Sequence, residues 1–251
     1  MTIRPIVLRG LGKRYGNHVA VHGLDLEVDS GRCLGLIGHN GAGKTTSLCM
    51  LAGLVVPTCG TATILGKNIA KRPKDILARI NFMSAYMDLP GGLKVRELLL
   101  LFARLYGLDR VWERVEQSMT DFGVDPSLGD RFVNTLSAGQ RAKVLLAKGF
   151  VNAPQVVLLD EPTAALDPVS ARSVRASIAN AKRIGGTTVV LASHNMRDIG
   201  ELCDEVLFIA RGRVVAYGAP EVLRQRYDCA DLDELYIRLS ASEAWPVPAN
   251  P

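Results

Sequence analysis

Residues 38–46 read GHNGAGKTT, and this loop restricts the fold more than any other part of the chain. It satisfies G-x-x-x-x-G-K-[ST], a pattern whose glycines let backbone N–H groups approach phosphate oxygens closely. Lys44 supplies a cation for the β- and γ-phosphates, and Thr45 offers a hydroxyl to Mg²⁺. The apolar run RCLGLIG at 32–38 predicts a buried strand before the loop, and a helix is predicted from about Lys44 to Leu54. The order strand, loop, helix therefore predicts a phosphate-binding site at the positive end of the helix dipole.

Two other interpretations of this glycine-rich segment are a chance turn and a dinucleotide-binding loop. The dinucleotide pattern needs a third glycine besides Gly41 and Gly43, and it has no use for Lys44. We expect the whole loop to bind the phosphates of a nucleotide, through Gly38, His39, Asn40, Gly41, Ala42, Gly43, Lys44, Thr45 and Thr46.

Composition limits the size, partners and compartment of the protein. The 251 residues allow one large domain or a core domain with a subdomain, and 48% of them are hydrophobic, which is enough for a substantial core. The net charge of +5 is compatible with anionic ligands, but basic residues are scattered and aromatic residues make up only 6%, so no nucleic acid partner is expected.

No run approaches the roughly 18 apolar residues of a membrane span, and basic residues interrupt any signal-peptide core near the start. Five dispersed cysteines without a C-x-x-C pair favour reduced thiols in the cytosol.

Hydrophobic periodicity divides the chain into a core and an insert. Strand patterns precede residue 86 and return, alternating with helices, after residue 150, whereas the segment between them is helical. We expect a nucleotide-binding core with a β-subdomain at 1–85 and 151–240, a helical subdomain at 86–150 and a flexible tail at 241–251. Pro57 and Gly60 predict a turn. Strands are predicted at 3–8, 24–28, 32–38, 61–65, 80–83, 155–159, 187–192, 205–210 and 213–217, and helices at 44–54, 95–106, 111–122, 137–150, 168–183, 221–227 and 232–239.

Two acidic residues follow the apolar strand pattern in QVVLLDE at 155–161. Asp160 is placed to bind Mg²⁺, and Glu161 is the candidate general base that orients and deprotonates an attacking water. Adjacent acids at a strand end are also common as plain solvated residues. Their occurrence together with Lys44 and Thr45 favours the catalytic interpretation.

Two further segments place polar groups next to a predicted helix or strand end. In LSAGQ at 136–140, Ser137 has the chemistry of a helix N-cap and Gly139 permits close backbone approach. This arrangement predicts an anion site, with an ordinary capped helix as the alternative. In TTVVLASH at 187–194, His194 follows a strand end, where it would contact a γ-phosphate or serve the fold alone.

The phosphate loop, LSAGQ, the carboxylate pair and His194 occur in an order that resembles the nucleotide-binding subunit of an ATP-binding-cassette (ABC) transporter. The resemblance covers about 7–239, includes Ala165-Leu166-Asp167 after the carboxylates, and depends most on LSAGQ, which most other phosphate-loop enzymes lack. It implies an α/β fold, with a phosphate-loop NTPase core, an N-terminal antiparallel β-subdomain and a helical insert subdomain. It also implies that Tyr15 stacks on adenine, where a packed aromatic is the alternative.

The same resemblance implies an ATPase that uses ATP and Mg²⁺ and forms a head-to-tail dimer around two nucleotides. Lys44 and Glu161 of one subunit would share a nucleotide with the signature of the other, which is Ser137, Ala138, Gly139 and Gln140. His194 would hold the γ-phosphate, and Asp167 would lie at the dimer seam. The implied partners are a second, identical nucleotide-binding subunit and an integral membrane transporter subunit on a separate chain. The implied location is the cytoplasmic face of the inner membrane.

One position departs from the family pattern, in which a glutamine that touches Mg²⁺ follows the short strand before the helical insert. The alignment of INFMSAYMDLP at 80–90 puts Ala85 at that position, with Ser84 beside it as a partial substitute. Ala85 has no side-chain group for a metal or a hydrogen bond, so metal geometry and coupling are affected rather than the fold. Ala138, where glycine is commonest, is a smaller change of one methyl group.

The leading hypothesis is an ATPase subunit that powers a separate membrane protein, because the chain holds one complete cassette and no predicted membrane span. Export is favoured because 94–108 and 231–240 are similar to cassettes of export systems, and the cleft around 85–93 would receive a helix of the membrane partner. The alternatives are a non-transport cassette ATPase that acts on ribosomes or DNA and a regulatory binder that hydrolyses ATP weakly. The sequence does not identify the cargo.

Overall fold

The computed structural model describes residues 4–71 and 73–241. The strands are β1 Ile6–Tyr15, β2 His18–Val28, β3 Cys33–Ile37, β4 Cys59–Ile64, β5 Lys67–Asn68, β6 Ile80–Ser84, β7 Val156–Asp160, β8 Thr188–Ala192, β9 Glu205–Ala210 and β10 Arg213–Gly218. The helices are α1 Lys44–Leu51, α2 Lys74–Leu77, α3 Val95–Leu105, α4 Val111–Asp121, α5 Ala138–Phe150, α6 Pro168–Gly185, α7 Met196–Leu202, α8 Pro220–Arg226 and α9 Leu232–Ala241. Of the predicted C-terminal tail at 241–251, Ala241 is the last residue of α9, and residues 242–251 lie outside the described residues.

The strands form two sheets. The larger has the order β10-β9-β3-β8-β7-β6, in which β10 is antiparallel to β9 and the other five strands are parallel. The smaller is antiparallel, with the order β2-β1-β4-β5. Every residue of β3, β7 and β8 is buried, as expected of parallel strands that are covered on both faces. The predicted α/β core with an N-terminal antiparallel sheet is confirmed.

Two hydrophobic clusters cover the two faces of the larger sheet. Val156 and Leu158 belong to the cluster shared with the smaller sheet and α1, whereas Val157 and Leu159 belong to the cluster on the opposite face, because successive strand residues point in opposite directions. The second cluster continues without interruption into α3, α4 and α5. The division into a core and a subdomain at 86–150 therefore stays a prediction. None of the helices in the two described ranges is long and apolar enough to cross a bilayer.

Several parts of the fold differ from the expectations: β1 extends to Tyr15 where only 3–8 was predicted, and β5 and α2 were not predicted. Gly60 lies inside β4 rather than in a turn, with φ of 70°, and a side chain there would collide with the backbone of Gly10 in β1. The segment His18–Val28 is a single long strand, of which only 24–28 was predicted. The helix Met196–Leu202 was not predicted, because its short apolar pattern follows a strand pattern directly.

The parallel strands determine where functional side chains gather. The strands β3, β6, β7 and β8 run in the same direction, so their carboxyl ends lie along one edge of the sheet. In open α/β sheets, ligands bind at this edge. Ser84 and Asp160 are the last residues of β6 and β7, and the segments that follow β3, β7 and β8 carry the loop 38–46, Glu161 and His194.

Candidate functional site

The loop 38–46 connects β3 to α1 at the carboxyl edge of the larger sheet. Gly41 and Gly43 have φ of 80° and 108°, in the left-handed region that favours glycine. Gly43 is the N-cap of α1 and no side chain caps that helix, so the N–H groups of its first turn are directed into the loop. The loop therefore presents backbone N–H groups in the manner of a phosphate-binding site, and phosphate binding itself stays a prediction.

Lys44, the first residue of α1, is buried under the loop. Its Nζ donates hydrogen bonds to the carbonyl oxygens of Gly38, at 2.6 Å, and His39, at 3.3 Å. Burial lowers the pKa of Lys44, and the charges of Glu161 and Asp160 oppose this. The ammonium group is thus held by neutral carbonyl groups, which a charged phosphate oxygen would replace as a stronger acceptor.

Thr45 and Asp160 join the start of α1 to the end of β7. The Thr45 hydroxyl donates to Oδ2 of Asp160 at 3.0 Å. Burial raises the pKa of Asp160; the Thr45 hydrogen bond and the charge of Lys44 lower it, and the charge of Glu161 raises it further. Oxygen ligands suit Mg²⁺, which commonly takes one or two protein carboxylates and completes its shell with phosphate oxygens and water.

Thr45 and Asp160 do not form a metal site by themselves. In the part of the chain that the structure describes, no cluster of three or more His, Cys, Asp or Glu side chains could hold a metal ion. Burial makes the Asp160 carboxylate costly to ionise, and a nearby cation stabilises the ionised form. Thr45 and Asp160 therefore fit a divalent cation that arrives together with a phosphate ligand.

Glu161 lies immediately after β7 and contacts the segment that follows β8. Its φ of 53° is left-handed, which costs a residue other than glycine about 1–3 kcal/mol. Its backbone N–H donates to the carbonyl oxygen of Ala192 at 2.8 Å. Its Oε2 lies 2.8 Å from Nδ1 of His194 and accepts the backbone N–H of that residue at 3.4 Å. Glu161 is only 8% exposed, whereas His194 is exposed. A nearly buried carboxylate therefore contacts an imidazole that solvent reaches. Such a carboxylate is able to take a proton from a bound water.

These residues line one cleft of about 530 Å³, a volume typical of small-molecule sites. Tyr15 lies in its wall with 49% of its surface exposed, and Nζ of Lys13 is 5.0 Å from the Tyr15 ring centre. Gly38 does not line the cleft, and its carbonyl oxygen accepts the hydrogen bond from Lys44. The predicted residues that do line it are Tyr15, His39, Asn40, Gly41, Ala42, Gly43, Lys44, Thr45, Thr46, Asp160, Glu161 and His194.

Four other residues line the same cleft, namely His18, Ala20, Ser84 and Tyr86. His18 pairs with Tyr15 across the turn between β1 and β2; this turn was not predicted, although the Gly-Asn dipeptide at 16–17 is a hairpin signal that could have found it. Ser84 pairs in register with Asp160 and was considered as a substitute for the missing glutamine. No sequence signal indicated Tyr86.

The signature LSAGQ lies away from this cleft. Ser137 is the N-cap of α5, as predicted: its hydroxyl accepts the N–H of Gln140 at 3.3 Å, and the Gln140 side chain accepts the N–H of Ser137 at 3.0 Å. At Gly139, a Cβ would lie 2.9 Å from Cβ of Ser170, so glycine allows α5 to approach α6 closely. Residues 137–140 do not line the cleft, and Ala138 lines a second cavity of about 320 Å³ instead.

Ala85 and Asp167 also lie outside the cleft. Ala85 lines the second cavity together with Ala138, and its N–H donates to the carbonyl oxygen of Asp160 at 3.1 Å. Asp167 is the N-cap of α6, where it accepts the N–H groups of Val169 and Ser170 at 3.0 Å each. Hydrogen bonds from the side chain and backbone of Ser170 lower the pKa of Asp167. Its place at a dimer seam stays a prediction.

Comparisons with known proteins agree with this geometry. The family model for ABC transporters matches residues 21–164. The chain is 36% identical over 237 residues to the Nod factor export ATP-binding protein I of Burkholderia orbicola (strain AU 1054). The aligned region covers 94% of this chain and 78% of that protein.

Two solved structures have a similar fold. One is an ATP-binding subunit of an ABC transporter, with a TM-score of 0.83 and 27% identity, covering 93% of this chain and 98% of that chain. The other is cbiO1 from Clostridium perfringens, part of the ABC transporter complex cbiONQ, with a TM-score of 0.80 over 94% of this chain and 96% of that chain. At 24% identity, the second similarity supports the fold alone.

Proposed function

The chain belongs to the ATP-binding subunits of ABC transporters, which are ATPases that power a separate membrane component, and we propose that it drives export. The observation that carries this proposal is the cleft that gathers the loop 38–46, the carboxylates Asp160–Glu161 and His194 at one sheet edge. Export is supported by the similarity to a protein named for Nod factor export. The cargo of this chain is left unassigned.

We propose that ATP lies in the cleft with its adenine against Tyr15 and its phosphates on the loop 38–46. Lys44 then exchanges its contacts with loop carbonyl groups for β- and γ-phosphate oxygens. Thr45 and Asp160 would hold Mg²⁺ through the hydroxyl and carboxylate that are now 3.0 Å apart. When bound, the ion would neutralise charge on the phosphate oxygens during phosphoryl transfer.

Hydrolysis in this proposal depends on Glu161 and His194. Glu161 accepts a proton from the water that attacks the γ-phosphate, and its buried position limits competing solvent contacts. His194 lies at the exposed side of Glu161 and is placed to donate a hydrogen bond to a γ-phosphate oxygen. The contact between the two side chains at 2.8 Å orients both groups toward the same nucleotide.

The active form that we propose is a head-to-tail dimer of identical chains. The exposed start of α5, which carries the LSAGQ signature, does not line the cleft of its own chain. In the dimer, Ser137, Ala138, Gly139 and Gln140 of the second chain would cover the nucleotide, and Asp167 would lie at the seam. The positive ends of α1 and α5 would then share the charge of one triphosphate. Loss of the γ-phosphate would loosen the pair.

A mixing experiment tests the shared site. Lys44→Ala and Ser137→Arg are each expected to abolish Mg²⁺-dependent ATPase activity. In a mixed dimer, one site combines the intact Lys44 of one chain with the intact Ser137 of the other, so random association at a 1:1 ratio should restore about a quarter of the wild-type activity. The matched control mixes Lys44→Ala with Glu161→Gln, which damage the same side of the site and should restore nothing. Absence of recovery in the first mixture contradicts a site shared between chains.

We further propose that the membrane partner is a separate chain that docks around 85–93, at the cytoplasmic face of the inner membrane. Tyr86 in this segment is 74% exposed. Ala85, Met87 and Leu89 line the second cavity, of about 320 Å³. Coexpression with the multi-span protein of a neighbouring gene should yield a complex in detergent, and Met87→Asp should weaken it. Salt-sensitive binding to nucleic acid in place of this complex would contradict the proposal.

A further inference from the structure

A buried polar cluster lies next to the catalytic segments and has no part in the ATP chemistry described above. Its centre is Asp198, a fully buried residue in the first turn of α7. A buried carboxylate is costly unless hydrogen bonds satisfy its oxygens, and both oxygens of Asp198 have partners. Oδ2 accepts the hydroxyls of Thr163, at 2.5 Å, and Ser193, at 3.0 Å. Oδ1 accepts Nη1–H of Arg175 at 3.1 Å.

The two hydroxyl donors are close in sequence to the residues proposed to act in hydrolysis. Thr163 is two residues after Glu161, and Ser193 directly precedes His194. Thr163 belongs to the segment after β7 and Ser193 to the segment after β8, so one oxygen of Asp198 joins these two segments. The contact between Glu161 and His194 spans the same two segments.

Arg175, on α6, connects this cluster to the surface. It is 5% exposed, and its Nε donates to Oε2 of the exposed residue Glu201 at 2.8 Å. Burial lowers the pKa of Arg175, but hydrogen bonds with Glu201 and Asp198 outweigh this, so its pKa is raised overall. The guanidinium cation therefore balances the carboxylate in the interior, and α6 and α7 are held together by the ion pair.

We propose that Asp198 is a positioning residue for hydrolysis, because its acceptance of both hydroxyls holds Glu161 and His194 in mutual contact. The proposal rests on the function proposed above, in which Glu161 is the general base. The left-handed backbone of Glu161 persists only if its surroundings restrain it, and the Thr163 hydroxyl restrains the chain two residues later. Loss of the restraint would move Glu161 away from His194 and leave the phosphate loop unchanged.

The test removes the two hydroxyls and keeps the buried ion pair. In the double variant Thr163→Val, Ser193→Ala we expect kcat for ATP hydrolysis to fall about tenfold or more, since small misplacements of a catalytic group cost this much. KM for ATP and the affinity for a non-hydrolysable ATP analogue should stay near wild type, whereas Tm should fall because Oδ2 of the buried Asp198 loses both hydroxyl donors. The chain has four histidines, so ¹⁵N imidazole spectra, assigned with single histidine variants, should show a shift for His194 alone.

Two further variants separate positioning from general structure. Glu201→Gln removes the surface partner of Arg175 but neither hydroxyl, and kcat should stay within about twofold of wild type. Asp198→Asn should lower kcat as the double variant does, with a fall in Tm because the Arg175 charge loses its buried carboxylate partner and keeps only the exposed Glu201.

The outcomes also distinguish the two proposals. A double variant with wild-type kcat, or with an unchanged His194 spectrum, overturns the positioning role of Asp198, as does an equal loss of kcat in Glu201→Gln. If Glu161→Gln hydrolyses ATP at the wild-type rate, the assignment of the base is wrong, and this result is independent of Thr163 and Ser193.

Discussion

Replacement of Gly38 by alanine tests whether the phosphate loop is fixed by its packing against the larger sheet. An added Cβ would overlap the carbonyl oxygen of Ile209 in β9 and would lie 2.9 Å from Cβ of Ala42. The first obstacle is backbone within a paired strand, which cannot move aside as a flexible side chain does. The loop would therefore have to shift away from β9, and the carbonyl oxygen that Lys44 contacts would shift with it.

The expected cost follows from this geometry. Overpacking of a buried site costs typically 1–3 kcal/mol, and an obstacle of rigid backbone places Gly38→Ala at about 3 kcal/mol. For a chain of this size, 1 kcal/mol corresponds to roughly 2–4 °C in Tm, so the nucleotide-free protein should melt about 6–12 °C lower.

Gly41→Ala is the matched control on the same loop. Gly41 has φ of 80° and nothing within 4 Å of an added Cβ, so alanine meets conformational strain without a clash. That strain costs roughly 1–2 kcal/mol and is partly offset by a less flexible unfolded chain, which gives a loss of about 2–4 °C. Differential scanning calorimetry without nucleotide measures both variants. If Gly38→Ala melts no lower than Gly41→Ala, packing against β9 does not fix the loop.

Three substitutions test the chemistry of the cleft. Glu161→Gln should lower kcat by roughly 10²–10⁴, the usual contribution of a general base, and unchanged turnover would exclude that role. Lys44→Ala should weaken ATP binding, measured by fluorescence titration, by more than about tenfold, and normal affinity would contradict the phosphate-loop assignment. Asp160→Asn should raise Tm of the nucleotide-free protein at pH 7, because burial raises the pKa of Asp160 and the ionised form opposes folding above that pKa. The gain should shrink as the pH falls and disappear below about pH 3, where the carboxyl is protonated in both states; a gain that persists there would show that ionisation is not its cause.

The sequence predicted the parts of the site that depend on local structure. The strand before the loop 38–46, the helix after it and the Ser137 cap each depend on residues only a few positions apart, and all three are present in the structure. The family was identified from the same motifs, and the comparisons confirm it. Local chemistry of this kind is recorded directly in residue type and spacing.

The rest depends on contacts between distant residues. The order of the larger sheet places β3 between β8 and β9, which no periodicity indicates. Gly60 looks like a turn residue, but its partner in β1 requires glycine inside a strand. The cluster around Asp198 joins residues up to 35 positions apart in sequence, and each of its members is unremarkable when considered alone. Tertiary contacts of this type override or escape local propensity.

Position 85 and its neighbour Ser84 face two different cavities. Ser84 ends β6 beside Asp160 and lines the nucleotide cleft, whereas Ala85 lines the second cavity, against Ala138 and Arg141 of α5. The Ala85 N–H donates to the Asp160 carbonyl oxygen, so the backbone itself joins the helical segment to the proposed metal ligand. We therefore expect communication between the helical segment and the cleft to use this hydrogen bond, which needs no side chain at residue 85, in place of the glutamine that the family resemblance implies there.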